Sequence, residues 1–182
     1  VNDVTGAGDC FLAAFVYGLT QDKTIKECLE LAAKGATESV KHLGTYILSK
    51  SDLEDTVVFT NGCFDILHIG HLKLLRHARS LGNKLIVAIN SDASVKRLKG
   101  ETRPINSQEI RKETLEQLGI VDEVIIFDED TPYETIKKIK PNIIVKGGDY
   151  TVETVVGNDL AEVAIFPKVK GYSTTNIIKA SK

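Results

Sequence analysis

Several features that mark whole classes of protein are scarce or missing in this chain. It has no methionine and no tryptophan, and it begins at Val1. Its three cysteines, Cys10, Cys28 and Cys63, are odd in number and form no Cys-x-x-Cys pair, which argues against a disulfide framework and a zinc ribbon. Reduced thiols without a signal peptide favour a cytoplasmic protein. Because the sequence starts at Val1 and contains no methionine, we expect it to be a piece of a longer protein.

Strong charge of one sign and long apolar runs are also missing. The formal net charge is −2, whereas a general nucleic-acid binder is normally strongly basic. The longest apolar segment, 11–19, is too short to cross a bilayer and is typical of a buried helix. The 182 residues are 42% hydrophobic and 26% charged, as in a soluble protein with one ordinary domain and a smaller piece. Neither nucleic acid nor membrane is expected as a partner.

Hydrophobic periodicity divides the chain into a helical part and an alternating part. Residues 1–50 predict two helices, one over 10–19 that is apolar on nearly every side and one from about 24 to 40 with an apolar stripe. Residues 51–55 are predicted to be a polar linker. Residues 56–182 are predicted to form an α/β domain, because apolar strands alternate with helices and so imply a parallel sheet covered on both faces. The predicted strands are 56–60, 85–89, 123–127, 143–145 and 163–166. The predicted helices lie at about 70–80, 107–118, 132–139 and 152–156, and from 174 onward.

The most informative stretch is 60–71, between the first predicted strand and a helix. The N-terminal end of a helix is a favourable site for an anion, because its first N–H groups are unpaired and the helix dipole is positive there. His68 and His71 are three residues apart, so both lie on one face of the first turn and can point at one phosphate. Gly70 lets a nucleotide approach the backbone. Two alternatives are surface histidines on a helix cap and a metal site with Cys63; the latter lacks an obvious fourth ligand, and no metal site is predicted.

A second constellation of residues is basic. Residues 96–112 contain six basic and two acidic side chains. Gly100 and Pro104 interrupt the helical pattern, so the first four are predicted to lie on a loop that can close over a triphosphate and neutralise its charge. The alternative is a solvated loop whose charges have no function. The six are Lys96, Arg97, Lys99, Arg103, Arg111 and Lys112.

Two more motifs follow later in the chain. Residues 146–150, Lys-Gly-Gly-Asp-Tyr, end the fourth predicted strand, where paired glycines leave room for a flat ligand or a sugar. An ordinary turn would use similar residues. Ser173 or Thr174 can cap the last predicted helix, and the same hydroxyls, with the free N–H groups, could instead hold phosphate.

Together and in this order, the motifs resemble the cytidylyltransferase-like nucleotidyltransferase superfamily over roughly 56–182. The resemblance implies a Rossmann-like five-stranded parallel sheet and Mg²⁺-assisted transfer of a nucleoside monophosphate with release of pyrophosphate. The residues then expected to be catalytic are His68, His71, Lys99 and Arg103. Those expected to bind the nucleotide are Thr60, Asn61, Gly62, Cys63, Phe64, Asn90, Ser91, Asp92, Ser173, Thr174 and Thr175. Those expected to bind the second substrate are Asp65, Lys146, Gly147, Gly148, Asp149 and Tyr150.

The first residues resemble a different family. Residues 3–9 are similar to the carboxyl-terminal signature of ribokinase-like sugar kinases, although Val4 and Cys10 stand where that signature usually or often has Thr. In that family the residue matching Asp9 accepts the hydroxyl proton, and the backbone of 6–8 forms an anion hole. The sheet and sugar site of such a kinase are missing here. We therefore expect 1–50 to be an inactive remnant of the kinase.

A ribokinase-like tail before this transferase resembles the layout of bifunctional heptose-7-phosphate kinase/heptose-1-phosphate adenylyltransferases, a family of lipopolysaccharide core synthesis. That layout implies transfer of AMP from ATP to D-glycero-β-D-manno-heptose 1-phosphate, with Mg²⁺ accompanying ATP. Two alternatives stay open. One is a glycerol-phosphate or ethanolamine-phosphate cytidylyltransferase. The other is a non-catalytic association module, in which the apolar helix 10–19 packs against the transferase or against a second copy to form a homo-oligomer.

Overall fold

The computed structural model describes residues 3–167, and the chain divides into two compact units, 1–55 and 56–182. The first unit is helical in its described part. Its helices are α1 (Ala7–Thr20), α2 (Ile25–Ser39) and α3 (Lys50–Leu53). Within residues 3–167 no helix combines the length and the apolar character that a membrane crossing requires.

Small residues let α1 and α2 pack closely against each other. A Cβ on Gly18 would lie 2.9 Å from the Cys28 sulfur, and a Cβ on Gly35 would lie 2.9 Å from the Cβ of Ala14. This contact buries one stripe of α1. On its other sides α1 exposes apolar side chains, among them Leu12, which is 62% exposed. The segment was predicted to be a buried helix, because a helix that is apolar nearly all round is normally covered, and in the described residues it is buried along one stripe only.

Part of the predicted linker 51–55 is helical. The Ser49 N–H donates to the Asp52 carboxylate at 2.6 Å, and the Ser49 hydroxyl donates to the same carboxylate at 2.7 Å. These bonds stabilise the start of the one-turn helix α3. The polar composition that suggested a connector therefore comes in part from a helix cap.

The second unit is built on one parallel sheet of five strands in the order β3-β2-β1-β4-β5. This confirms the predicted fold class. The chain runs from β1 outward through β2 to β3, then crosses back to β4 on the other side of β1. Ligands of such sheets bind at this reversal, beyond the carboxyl ends of the strands. The strands are β1 (Val57–Gly62), β2 (Lys84–Asn90), β3 (Glu123–Phe127), β4 (Ile143–Gly147) and β5 (Glu162–Phe166).

Four helices and one 3₁₀ turn connect these strands in the described residues. The segment 152–156, predicted as a helix, contains only the 3₁₀ turn, and the last predicted helix, from 174, lies outside the described residues. The helices are α4 (Ile69–Ser80), α5 (Asp92–Lys99), α6 (Gln108–Glu116) and α7 (Tyr133–Ile139), and the turn is Val152–Thr154.

Helix α5 corrects the prediction of a basic loop. The Ser91 hydroxyl caps the helix by accepting from the Ser94 N–H at 3.0 Å, and Val95 is fully buried beneath it. Gly100, at φ +93°, ends it. Lys96, Arg97 and Lys99 therefore lie on a helix, and of the four residues assigned to the loop only Arg103 lies on one.

Different helices cover the two faces of the sheet. On one face Val58 and Val145 pack with Leu75 of α4; we call this the α4 face. On the other, Phe59 and Ile144 pack with Ile136 of α7; we call this the α7 face. Because side chains alternate along a strand, the residues at the strand ends divide in the same way. Thr60, Gly62 and Gly147 belong to the α4 face, whereas Asn61, Asn90 and Lys146 belong to the α7 face.

Candidate functional site

A cavity of about 670 Å³ opens at the carboxyl ends of the strands, where β1 and β4 lie side by side. Most of the residues that the sequence singled out line this cavity, although they come from segments far apart in the chain. The predicted site residues that line it are Thr60, Asn61, Gly62, Cys63, Phe64, Asp65, His68, His71, Asn90, Lys99, Arg103, Lys146, Gly147, Gly148, Asp149 and Tyr150.

Two predicted nucleotide-binding residues, Ser91 and Asp92, are not part of the cavity wall. The Ser91 hydroxyl caps α5 and also donates to the Asp128 carboxylate. The Asp92 carboxylate accepts from the Arg111 guanidinium at 2.7 Å. Ser91 thus caps α5 and Asp92 pairs with Arg111 of α6, which explains why neither side chain reaches the cavity. Ser173, Thr174 and Thr175 lie outside the described residues.

His68 and His71 lie next to each other at the start of α4. The backbone of His68 is extended, and its Nδ1 accepts from the His71 N–H at 3.4 Å, so His68 is the N-cap of the helix. The two rings stack with their centroids 3.8 Å apart. Because Nδ1 of His68 acts as an acceptor, the neutral ring carries its proton on Nε2, which is then a hydrogen-bond donor.

Burial keeps both imidazoles neutral at physiological pH. Burial lowers the pKa of His68 below its ordinary value. The pKa of His71 falls to about 4, mainly through burial and also through the neighbouring His68, while a backbone hydrogen bond with Ile66 acts in the opposite direction. The site therefore presents two uncharged imidazoles to a ligand, because burial disfavours the charged ring.

We expect this electrostatic arrangement to be visible by NMR. In a titration of the four histidines, the His71 resonances should shift with a midpoint near pH 4, and His68 should titrate below the ordinary value for histidine. His71→Asn and His68→Asn assign the signals. A His71 midpoint at or above about pH 6.5 would contradict the buried, neutral geometry.

Asp65 and Arg103 form a buried ion pair at the mouth of the cavity. The Asp65 carboxylate, whose side chain is 1% exposed, accepts from Arg103 Nε at 2.5 Å. It also accepts from the N–H groups of Ile105 and Asn106 at 2.8 and 2.9 Å. Burial raises the pKa of Asp65, but the Asn106, Ile105 and Arg103 hydrogen bonds more than offset it, so the pKa lies below its ordinary value. The Asp65 carboxylate, predicted to bind the second substrate, thus holds Arg103 and the loop after it.

Lys96, Arg97, Arg111 and Lys112 do not line the cavity; the first two of these were predicted to lie on a loop that closes over it. Arg111 is fully buried and donates to the Cys63 carbonyl at 2.7 Å and the Asn106 carbonyl at 3.0 Å. Arg97 donates to the Asp130 carboxylate at 3.2 Å. Of the six basic residues, Lys99 and Arg103 line the cavity. The others mainly hold neighbouring segments in place or face solvent.

Lys146 reaches the cavity from β4 and is almost completely buried, with 8% of its surface exposed. Its Nζ donates to the Asn61 carbonyl at 3.1 Å and lies 5.0 Å from the centre of the Tyr150 ring. Burial lowers the pKa of Lys146 to about 8, while the nearby Cys63 raises it. A cation held in such a place favours an anionic ligand.

Several lining residues were missed in the sequence. The segment 130–132 follows β3 directly, so the rule that ligands bind beyond strand ends could have found it. The others are apolar and carry no chemical signal. The missed residues are Leu74, Leu98, Phe127, Asp130, Thr131, Pro132, Val156, Phe166 and Pro167.

The described residues contain no group of three or more His, Cys, Asp or Glu that could hold a metal ion. The carboxylates that line the cavity are Asp65, Asp130 and Asp149. Asp65 is saturated by protein donors and Asp130 accepts from Arg97. A metal ion in this cavity would therefore depend on a ligand for much of its coordination, as Mg²⁺ with a nucleotide does.

Two family models match the chain. The model "Cytidylyltransferase-like" matches residues 59–181. The model "pfkB family carbohydrate kinase" matches residues 1–52.

Curated relatives match over nearly all of the chain. "Bifunctional protein HldE" of Campylobacter concisus is 47% identical over 213 residues, covering 100% of this chain and 45% of that protein. The protein of the same name from Nitratiruptor sp. is 45% identical, with 98% of this chain and 46% of that protein covered. The chain thus spans about half the length of the curated relatives it matches.

Solved structures resemble about two thirds of this chain in fold. A lipopolysaccharide core biosynthesis protein from Thermoplasma volcanium is 30% identical with a TM-score of 0.54, covering 66% of this chain and 100% of that one. Pantothenate synthetase from Thermus thermophilus is 18% identical with a TM-score of 0.51, covering 67% of this chain and 61% of that one. At this identity, the likeness to pantothenate synthetase shows a similar fold and nothing about function.

Proposed function

Because this chain belongs to the cytidylyltransferase-like family, we propose that its second unit transfers a nucleoside monophosphate from a nucleoside triphosphate to a phosphate-bearing acceptor. The observation that carries the proposal is the pairing of two neutral histidines at a helix start with cations in the same cavity. His68 and His71 supply donors at one end, and Lys99, Arg103 and Lys146 supply positive charge around them. Such a cavity is suited to several phosphates at once.

The proposed reaction needs no general base. An oxygen of the acceptor phosphate, already anionic at neutral pH, attacks the α-phosphorus. The bond from that phosphorus to the oxygen bridging to the β-phosphate breaks, and its electron pair leaves with pyrophosphate. His68 and His71 donate hydrogen bonds to the α-phosphate and the bridging oxygen as charge builds there. Lys99 and Arg103 hold the leaving pyrophosphate, so catalysis rests on positioning and charge stabilisation.

We propose that Mg²⁺ accompanies the triphosphate. The described part of the chain has no metal cage of its own, so the phosphates and water would supply most of the ligands. When bound, the ion neutralises charge on the leaving pyrophosphate. The protein side chains remain responsible for orienting the phosphates.

The finer proposal is that the donor is ATP and the acceptor is D-glycero-β-D-manno-heptose 1-phosphate. It is supported by the similarity to the HldE proteins over the whole chain and by the match of 1–52 to a carbohydrate kinase model. The similar structure from Thermoplasma volcanium is that of a lipopolysaccharide core biosynthesis protein, which agrees with a heptose phosphate as the acceptor.

We further propose that this 182-residue chain does not by itself phosphorylate heptose 7-phosphate. The described part of the first unit consists of three helices without a strand. Asp9, the matching proton acceptor, is exposed at the start of α1. ATP-dependent phosphorylation of heptose 7-phosphate by this chain would contradict this proposal.

A substrate panel tests the proposed function. The protein is incubated with ATP or CTP, Mg²⁺ and a series of acceptors: the heptose 1-phosphate, mannose 1-phosphate, glycerol 3-phosphate and phosphoethanolamine. Pyrophosphate release is measured in each mixture. We expect release with ATP and heptose 1-phosphate to exceed every other pair by at least about tenfold. A preference for CTP with glycerol 3-phosphate or phosphoethanolamine would identify a cytidylyltransferase instead, and no release with any pair would contradict an enzymatic role.

A further inference from the structure

The buried contacts of helix α5 lie at its start. There the Ser91 hydroxyl caps the helix, and Val95 is fully buried beneath the first turn. The last turn, 96–99, is exposed, although Leu98 and Lys99 line the cavity. The position of this turn relative to a ligand therefore depends on contacts outside the core.

Arg97 connects this exposed turn to the segment that follows β3. Its Nε donates to the Asp130 carboxylate at 3.2 Å, and its guanidinium also donates to the Asp128 carbonyl. A further ion pair joins Arg97 to the Asp128 carboxylate at 3.6 Å. The Ser91 hydroxyl donates to the same carboxylate, so the segment 128–130 is tied to both ends of α5. The planar guanidinium fixes the direction of the contact as well as its distance, which a point charge would not do.

These contacts are better suited to fixing the turn than to stabilising the fold. The side chains of Arg97, Asp128 and Asp130 are 47%, 66% and 80% exposed, and exposed ion pairs contribute little to folding. Lys99 comes two residues after Arg97, and side chains at this spacing do not face each other on a helix. Arg97 can therefore hold the turn while Lys99 stays available to a ligand in the cavity.

We propose that Arg97 is a positioning residue for nucleotidyl transfer, because it ties the last turn of α5 to 128–130 and so holds the Lys99 ammonium on the phosphates of the triphosphate. This inference rests on the proposed function, in which Lys99 holds the leaving pyrophosphate. Arg97 does not itself line the cavity, so it acts through Lys99. Such positioning matters because a displacement of about 1 Å can reduce a rate by about 100-fold.

Arg97→Met should lower the turnover number for pyrophosphate release by about tenfold or more, because the last turn of α5 loses its tie to 128–130. Arg97→Lys keeps a charge near Asp130 but loses the planar fork. Its turnover should therefore lie between that of Arg97→Met and that of the parent.

Arg79→Met is the matched control for Arg97→Met. Arg79 also lies in the last turn of a helix, α4, and its guanidinium pairs with Asp122 at 3.2 Å, with both side chains 37% or more exposed. It is not part of the cavity wall. Arg79→Met should keep the turnover of the parent, and the two methionine variants should show similarly small shifts in thermal unfolding.

A double-mutant cycle with Lys99→Met separates positioning from a general structural effect. If Arg97 acts through Lys99, Arg97→Met should cost about tenfold in the parent but less than about twofold in the Lys99→Met background. Equal losses in both backgrounds overturn the inference, as does parental turnover of Arg97→Met. Restoration of Arg97→Met by Asp130→Asn also overturns it, because the loss would then come from an unpaired carboxylate.

Calorimetric titration with ATP and Mg²⁺, in the absence of acceptor, repeats this cycle on binding alone. Arg97→Met should weaken ATP binding in the parent and leave it nearly unchanged in the Lys99→Met background. A protein that shows this pattern but never releases pyrophosphate contradicts the proposed function and supports the positioning role of Arg97. A parent that binds no ATP overturns both.

Discussion

Removing either histidine from the start of α4 should lower the turnover number for pyrophosphate release by about 100-fold or more. His71→Ala deletes a half-buried ring that stacks on its neighbour, with the centroids 3.8 Å apart. His68→Asn is the sharper variant at the other position, because asparagine still caps the helix while the imidazole donor is lost. Both variants lose interactions that strengthen as the α-phosphate gains charge. The reduction should therefore appear in turnover more than in the KM for ATP.

His42→Ala controls for the loss of a histidine as such, since His42 lies in the first unit and is exposed. It should retain the turnover of the parent. Pyrophosphate release is followed in a coupled assay at saturating substrates, and circular dichroism checks the fold of each variant. If His68→Asn and His71→Ala both stay within about threefold of the parent, the histidines are not part of the catalytic apparatus.

Asp65→Ala should cause the largest loss of stability among the site variants. The substitution leaves Arg103 without its buried partner and removes the acceptor for two loop N–H groups. Breaking a buried ion pair by deleting one partner costs about 3–5 kcal/mol, which should appear as a lower free energy of unfolding of the second unit in urea. Activity should fall as well, because Arg103 loses the contact that positions it.

Glu123→Ala is the matched control for that experiment. Its ion pair with Lys84 spans 3.7 Å, and both side chains are 39% or more exposed, so its loss should cost less than about 1 kcal/mol. A fluorescence or circular-dichroism transition assigned to the second unit gives both values. An Asp65→Ala variant no less stable than Glu123→Ala would show that the Asp65–Arg103 pair does not hold the loop.

The strands were predictable because each is a short apolar run, and the central strands are buried on both faces. Phe59, for example, pairs with Ile86 on one side and Ile144 on the other, so polar residues are excluded along the middle of the sheet. Helix α5 was missed because it is mostly polar and only its Val95 side is buried. Its cap Ser91 and its terminator Gly100 were visible in the sequence, but the surrounding charges suggested a loop.

The cavity-lining residues were predictable where a recognisable element ends or begins. Lys146 lies near the carboxyl end of β4, where ligands of parallel sheets bind, and His68 and His71 lie at the start of the helix that follows β1. Long-range pairing could not be predicted in this way. Asp65 meets Arg103 across 38 residues, and Arg111 is buried on backbone carbonyls. Nothing in a basic side chain's own sequence context says whether it faces a ligand or another part of the protein.

The central claim, that the protein transfers AMP from ATP to a sugar phosphate, is tested most directly by following each ATP phosphate into the products. The protein is incubated with Mg²⁺, D-glycero-β-D-manno-heptose 1-phosphate and ATP labelled with ³²P at either the α or the γ position, and the products are separated by chromatography. Adenylyl transfer predicts α-label in a sugar nucleotide and γ-label in pyrophosphate, in equal amounts. Label from the γ position in the sugar product, or no α-label in it, would contradict the account.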